Sequence, residues 1–326
     1  MMVPYSLRLL CLCLATFFLV NAVFGLMVSI ASRAAVRISE TMRPRSAARF
    51  LFVLRLLPLV LGAGAVLGLC VPSYLWLEPQ ETPERVGLAC LTLALLASSS
   101  WLLSITRATR ALAVSLRCNR VWRQTGQEAR LRREASEAVI VEKEAPLLAL
   151  AGLFRPHLVV SRGVLRALSA SELDAALHHE NAHCVSRDNL KRLLLLLAPD
   201  PIPFLRGFSL LEQAWAKFTE WAADDEAVQG DSSRALSLAA ALLRVARMGV
   251  GPHLSFLHTS LVASDHDLSA RVERLLRVEP LFANPRSRRR SFVIGSSLGM
   301  AVSIVIVVAW PATLSSVHRL LELFLR

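Results

Sequence analysis

Four stretches of this chain, residues 9–32, 51–75, 86–106 and 291–310, are apolar over a length that a packed soluble helix does not need. Each supplies the about 20 helical residues required to cross roughly 30 Å of hydrocarbon, and each is bounded by charge or proline. Within lipid every backbone amide must find its partner inside the segment, so runs of this kind fold as transmembrane helices. The expected class is therefore a mainly α integral membrane protein with four transmembrane helices. A composition of 54% hydrophobic against 19% charged residues supports that class and excludes an ordinary soluble domain of this size. The first stretch could instead be a secretory signal, because Arg8 precedes it; its length and the lack of a small-x-small cleavage site favour a retained span.

Arginine placement predicts the orientation, since positively charged loops next to spans stay in the cytoplasm. Arg33, Arg37, Arg43, Arg45 and Arg49 follow the first stretch, Arg107, Arg110, Arg117, Arg120 and Arg123 follow the third, and Arg286, Arg288, Arg289 and Arg290 precede the fourth. Between the second and third lie Glu78, Glu81 and Glu84 with Arg85 alone. These fit one arrangement: N-terminus outside, the Arg33–Arg49 loop inside, and the whole of 107–290 inside. Arg55 is expected to snorkel back to the inner face. The chain then divides into three N-terminal spans (1–106), a cytoplasmic domain (107–290), and a fourth span with a short tail (291–326). That tail, Ser315 to Arg326, reads as an amphipathic interfacial helix.

The net charge of +12 raises nucleic acid as a partner, but the arginines from Arg107 to Arg133 come without aromatic interleaving or a helix-turn-helix pattern. No direct nucleic-acid binding is expected; the lipid bilayer, through its anionic headgroups, is the nearer partner. The six cysteines show neither a disulfide framework nor paired Cys-x-x-Cys zinc spacing.

The domain reads as mostly helical, with a small strand element at Leu158-Val159-Val160 after the turn-like Gly152–Pro156 stretch. That element could be an edge strand offering backbone hydrogen bonds to a peptide, or ordinary core. Ser169 or Ser171 could cap the next helix, with Glu172 in its first turn and Leu173, Ala176 and Leu177 inward. The run Leu193–Leu197, interrupted by Pro199-Asp200-Pro201 and Pro203, reads as a buried helix leaning on the bilayer rather than a fifth span.

On the capped helix lies His179-Glu180-Asn181-Ala182-His183. Residues four apart stack one turn above each other, so both imidazoles reach one ion from one helix face. Zinc in catalytic sites takes three protein ligands and acidifies a water at the fourth position, and Glu180, offset by one residue, can accept that water's proton. A second helix carries Glu220-Trp221-Ala222-Ala223-Asp224. Glu220 can supply the third ligand, and Asp224, one turn further, can orient a ligating imidazole from behind. Read alone, Glu220 and the Asp224-Asp225-Glu226 run would be a solvated acidic face. His178 points away from His183 and is excluded, and Cys184 falls off the metal-facing side as a buried thiol.

In order, Ala151-Gly152-Leu153-Phe154-Arg155-Pro156-His157-Leu158-Val159-Val160, Glu172-Leu173, the His179–His183 motif, Arg187-Asp188-Asn189-Leu190 and Glu220-Trp221-Ala222-Ala223-Asp224 resemble the BlaR/MecR-type membrane metallopeptidases over about residues 145–276. The resemblance implies a gluzincin-type zinc domain with one Zn2+ per chain, His179, His183 and Glu220 as ligands and Glu180 as base. It implies a bacterial inner-membrane endopeptidase that cleaves itself or a cytoplasmic repressor, with a helix-turn-helix repressor of the BlaI/MecI kind as the partner to look for. A weaker likeness to the HtpX and CAAX-prenyl-protease group marks His266 and Arg271 as candidate oxyanion stabilisers, and suggests membrane-protein quality control as an alternative role. A silent signalling scaffold that keeps the zinc fold is the rival outside catalysis. The family's beta-lactam sensors carry an external penicillin-binding domain after the last span; only a short tail follows here, so antibiotic sensing is not expected. His178 and Asn181 stand where the family has small or apolar residues, neither being a ligand or base position.

Overall fold

The computed structural model describes residues 5–77, 86–130, 137–153, 156–200, 206–249, 259–260 and 265–277. Three of its helices are long and apolar enough to cross a membrane. The first is α1 (Tyr5–Glu40). The second begins as α2 (Pro44–Ala65), passes through a π-helical turn at Val66–Cys70 and continues as α3 (Val71–Leu77). That turn ends two residues before Pro72, which has no N–H to give to a preceding carbonyl, and a π-turn absorbs such a mismatch without breaking the helix. The third is α4 (Leu88–Thr125). The fourth apolar stretch, 291–310, and the tail beyond it lie outside the described residues.

At about 1.5 Å per residue, the 36 residues of α1 and 38 of α4 measure well over the roughly 30 Å of a hydrocarbon core. Both helices are longer than a crossing requires, and their later turns pack against the domain. For α4 this means that no break occurs at residue 106: the helix runs on to Thr125 and buries Trp122 against a sheet.

That sheet exceeds the small element expected from the sequence. Strands β1 (Gly126–Arg130), β2 (Glu137–Val141), β3 (Leu148–Ala151), β4 (His157–Ser161) and β5 (Thr259–Ser260) lie in the order β1-β2-β4-β3-β5. Among the described strands only β2 and β4 pair in parallel; Val139 lies opposite Val159 there, and Ala149 opposite Val159 in the antiparallel β3–β4 pair. Gly152, at a φ of 97°, opens the β3–β4 connection. All five residues of β4 are buried, as a strand covered on both faces must be. Val159 joins Trp122 of α4 on one face, while Leu158 and Val160 face the helices on the other. The edge-strand reading of Leu158–Val160 is thereby corrected: both sides of β4 are already paired, so no peptide can add there.

Over the second face lie α5 (Arg162–Ala167), α6 (Ala170–Ser186), α9 (Ser232–Arg247) and α10 (Asp265–Leu276), meeting in a core that includes Ala176, Leu238 and Leu242. Helices α7 (Asp188–Leu197) and α8 (Arg206–Val228) turn toward the spans. α7, with 10 residues, is too short to cross a membrane. α8 packs Phe208, Leu211, Trp215 and Phe218 against Val28 and Ala35 of α1 and Ala47 and Leu51 of α2. Gly207 permits this approach, since a Cβ there would lie 2.3 Å from Ser29 Oγ and 2.6 Å from Ser29 Cα.

The connector between α7 and α8 reaches all three spans. Asn21 Nδ2 of α1 donates to the Pro199 carbonyl at 3.3 Å, Ser104 Oγ of α4 lies 3.5 Å from the Ala198 carbonyl, and Arg107 Nη1 of α4 lies 2.9 Å from Asp200 Oδ2. From α2, Arg55 bonds Asp200 through Nη2 and Glu212 through Nε at 2.8 Å, its guanidinium 4.3 Å from the Phe208 ring centroid. Arg55 is therefore not a snorkelling side chain. It is buried, because the domain brings two carboxylates and an aromatic face to it inside the helix bundle.

Candidate metal centre

α6 begins with a capping box: Ser169 Oγ accepts from the Glu172 amide at 3.3 Å, and Glu172 Oε2 accepts from the Ser169 amide at 2.7 Å. Of the two serines the sequence offered, Ser169 is the cap. Ala175 and Ala176 then bury the helix, and its next two turns carry His179, Glu180 and His183 into the interior. Leu173 and Leu177 are half-buried against the same core. His178 lies half-exposed with Asp174 Oδ2 at 3.7 Å, off the metal-facing side.

His179 Nε2 and His183 Nε2 approach to 3.2 Å with their rings edge to face. From α8, Glu220 brings Oε2 to 3.5 Å from His179 Nε2 and Oε1 to 3.7 Å from His183 Nε2. One ligand atom from each of the three residues falls within 4.8 Å of the others, and all three residues are buried.

The other nitrogen of each imidazole has a carboxylate behind it, hydrogen-bonded in the case of His183. Asp224 Oδ1 lies 2.9 Å from His179 Nδ1, and Asp188 Oδ2 lies 2.8 Å from His183 Nδ1. A carboxylate at Nδ1 keeps the proton on that nitrogen and turns the Nε2 lone pair toward the shared space. The Asp224 position was legible as one helical turn beyond Glu220. Asp188 carries the same arrangement for His183, and sequence reasoning assigned it no role. It lies five residues beyond His183, a spacing that points elsewhere on a straight helix. Arg187 adopts a left-handed conformation with φ 54°, ending α6 and starting α7, and this break swings Asp188 back. Asn189 secures the turn by donating from Nδ2 to the Leu150 and Gly152 carbonyls at 3.1 Å each.

Arg271 enters from α10. It bonds Asp224 through Nε at 2.9 Å and Nη2 at 2.7 Å, and Nη1 lies 3.2 Å from Glu220 Oε2. Nη2 is also 3.5 Å from His179 Nε2. Of the two candidate oxyanion donors, Arg271 thus belongs to the cluster, and the His266 side chain lies outside the described residues. Two further cations adjoin: Lys191 Nζ is 2.8 Å from Asp188 Oδ1, and Arg192 Nη2 is 3.7 Å from Glu220 Oε1.

Burial pushes the Glu180 carboxyl up to about 7, the facing imidazoles and Arg271 only partly opposing it. Neither Glu180 oxygen has a hydrogen-bond partner among the described residues. A carboxylate so placed takes and releases a proton near neutrality. Burial would also raise Asp224, but Arg271 and His179 outweigh it and hold that carboxyl at about 2. His183 runs the other way: burial opposes its charge, yet Glu220 and Asp188 pull the imidazole up to about 10. This spot favours positive charge. Two inward lone pairs and a carboxylate, in a pocket whose field calls for a cation, fit a small divalent metal ion with nitrogen and oxygen ligands.

Two clefts flank the cluster. One, of about 400 Å³, runs between Gly152, Leu153 and Pro156 on one side and His183 on the other, with Cys184 on its wall. The other, of about 350 Å³, lies between α2, the end of α6 and α8, with Asp188 on its wall.

The family model described as BlaR1 peptidase M56 matches residues 85–275, more than half of the chain and the whole of this cluster. No curated protein matches the sequence.

Proposed function

The chain belongs to the BlaR1 peptidase M56 family, and from that premise we propose that it is a membrane-bound zinc endopeptidase whose centre is held by His179, His183 and Glu220. One observation carries the reading: each histidine faces a buried aspartate at Nδ1, within 2.9 Å, while both Nε2 atoms converge on Glu220. A single structural histidine can keep a carboxylate at one nitrogen, but two imidazoles so backed and converging with a third carboxylate form the arrangement that metal ligands adopt. Zinc, when bound, supplies Lewis acidity and an acidified water at a centre with two nitrogen ligands and one carboxylate.

The chain's own groups do the rest. Glu180 takes a proton at a carboxylate oxygen and returns it to the leaving amine. Asp188 and Asp224 fix the tautomers. Arg271, bound to Asp224 and Glu220, acts as a positioning residue for both, and its donors lie near enough to the ligands to meet developing negative charge on a substrate. Burial of His179, Glu180 and His183 excludes bulk water, so the enzyme of this reading must open before a peptide reaches Glu180.

That requirement suits a regulatory protease of the bacterial inner membrane, N-terminus outside and zinc domain cytoplasmic, that cleaves itself or a helix-turn-helix repressor of the BlaI/MecI kind. The test compares new protein N-termini in cells expressing the wild type and Glu180→Gln, with bound zinc measured in both purified proteins. Discrete termini that disappear in the variant while zinc stays bound are the expected result. Many scattered termini would point to quality control, and none from either protein, with zinc bound, to the silent scaffold.

A further inference from the structure

The cleft between α2, the end of α6 and α8 has a polarity that the peptidase reading does not use. Its α2 wall is one helical stripe, Arg45, Ala48, Arg49, Phe52 and Val53, at the spacing of a single face. The stripe changes character along its length, from two arginines one turn apart to an aromatic and an aliphatic side chain. Val53, 62% exposed, ends the stripe at its apolar end. Opposite, Trp215 of α8 meets Phe52 with ring centroids 6.2 Å apart, and Thr219 stands one turn further from the apolar end. The Thr219 hydroxyl is buried and has no hydrogen-bond partner among the described residues. Lys191 completes the basic end.

The position of this cleft along the second candidate span decides what suits it. The apolar run of that span starts at residue 51, so Arg45 and Arg49 precede it on the charged side, where headgroups would lie, and Phe52 and Val53 are its first apolar turn. Arg45 has an acidic neighbour, Glu226, at 3.3 Å in an exposed pair, but Arg49 is exposed with no ion-pair partner among the described residues. An acidic peptide would satisfy the arginines and leave the apolar half unexplained. We propose that this cleft binds one anionic phospholipid, its phosphate between Arg45, Arg49 and Lys191, its glycerol region beside Thr219, and an acyl chain leaving past Phe52 and Val53. The bound anion would share Lys191 with Asp188, and so stands one carboxylate away from His183.

The test uses the full chain, delipidated in neutral detergent and titrated with phosphatidylglycerol or phosphatidylcholine under native mass spectrometry. One phosphatidylglycerol per chain is retained, and phosphatidylcholine binds distinctly more weakly. Arg49→Gln lowers the affinity about tenfold, the worth of one charge-assisted hydrogen bond, and Arg37→Gln, an exposed arginine in the last turn of α1 and outside the cleft, leaves it unchanged. Thr219→Val weakens retention with the thermal midpoint preserved. Equal losses in Arg37→Gln and Arg49→Gln would reduce the effect to diffuse surface charge and overturn the proposal. So would displacement by inorganic phosphate at the lipid's own concentration, which would mark a free-phosphate site, or retention of no lipid at all.

Discussion

Arg55 Nη2, on the second span, lies 2.5 Å from Oδ1 of Asp200, in the connector that joins the helix holding Asp188 to the helix holding Glu220. Arg55 is 4% exposed, so its charge depends on Asp200 and on Glu212. Asp200 in turn keeps Arg107 as a second partner. Neither single change strands a charge completely, which places Arg55→Gln and Asp200→Asn below the full penalty for breaking a buried pair, at about 1–3 kcal/mol each. Thermal unfolding in detergent should show both losses, with the double variant costing less than their sum. Ser104→Ala removes only a 3.5 Å contact to the same connector and should be close to neutral. Strict additivity of the two charge changes would mean that the pair does not act as one.

Asp188 and Asp224 touch no shared ligand position, yet each decides where an imidazole lone pair points. Asp188→Asn and Asp224→Asn should each weaken zinc by about 10–100-fold, measured by competition with a chromogenic chelator. Asp174→Asn, at an exposed acid 3.7 Å from His178, should leave zinc affinity as it was. If Asp188→Asn bound zinc like the wild type, the Nδ1 contact to His183 would be incidental.

The sequence revealed those parts of the centre that depend on one regular helix. His179 and His183 share a face by their spacing alone, Glu220 and Asp224 likewise, and Ser169 with Glu172 announces the helix start. Asp188 escaped notice because a left-handed residue lies between it and His183, and no periodicity survives such a break. The sheet was underestimated for a different reason: Gly126–Arg130 has little strand character, and Leu148–Ala151 reads equally as helix, so their pairing comes from tertiary partners. Arg55 was misplaced because a single arginine near the end of a span looks the same whether it snorkels or meets an acid from another part of the chain.

Gly207 links the spans to the centre through contact distance. Gly207→Ala would drive a methyl onto Ser29 Oγ and its backbone, and neither α1 nor α8 can shift without disturbing Phe208 and Leu211 beside it. Overpacking of this kind costs about 1–3 kcal/mol. Because α8 also carries Glu220, zinc affinity should fall together with the thermal midpoint, whereas Gly230→Ala, at a positive φ of 81° with open space around it, should lower the midpoint alone. Both are read from one preparation by chelator competition and thermal unfolding. A Gly207→Ala protein with unchanged zinc affinity would separate the α1–α8 contact from the placement of Glu220.

The capping box gives the domain a pH dependence whose sign can be worked out. Burial raises the Glu172 carboxyl, but hydrogen bonds from Ser169 and the Arg244 guanidinium at 3.0 Å outweigh it and hold the group below its ordinary value. A carboxyl lowered on folding contributes stability that is present above its unfolded value, about 4.3, and is lost as pH falls through the lower folded value. Glu172→Gln removes the charge and should cost about 1 kcal/mol at pH 7, the usual worth of a helix cap. As pH falls below about 4 the wild-type carboxyl is itself neutralised, and the gap in thermal midpoint between the two proteins should close. A gap that stayed constant down to pH 3 would assign the loss to the geometry of the amide in place of the carboxylate, and would leave Arg244 with no part in holding α6 to α9.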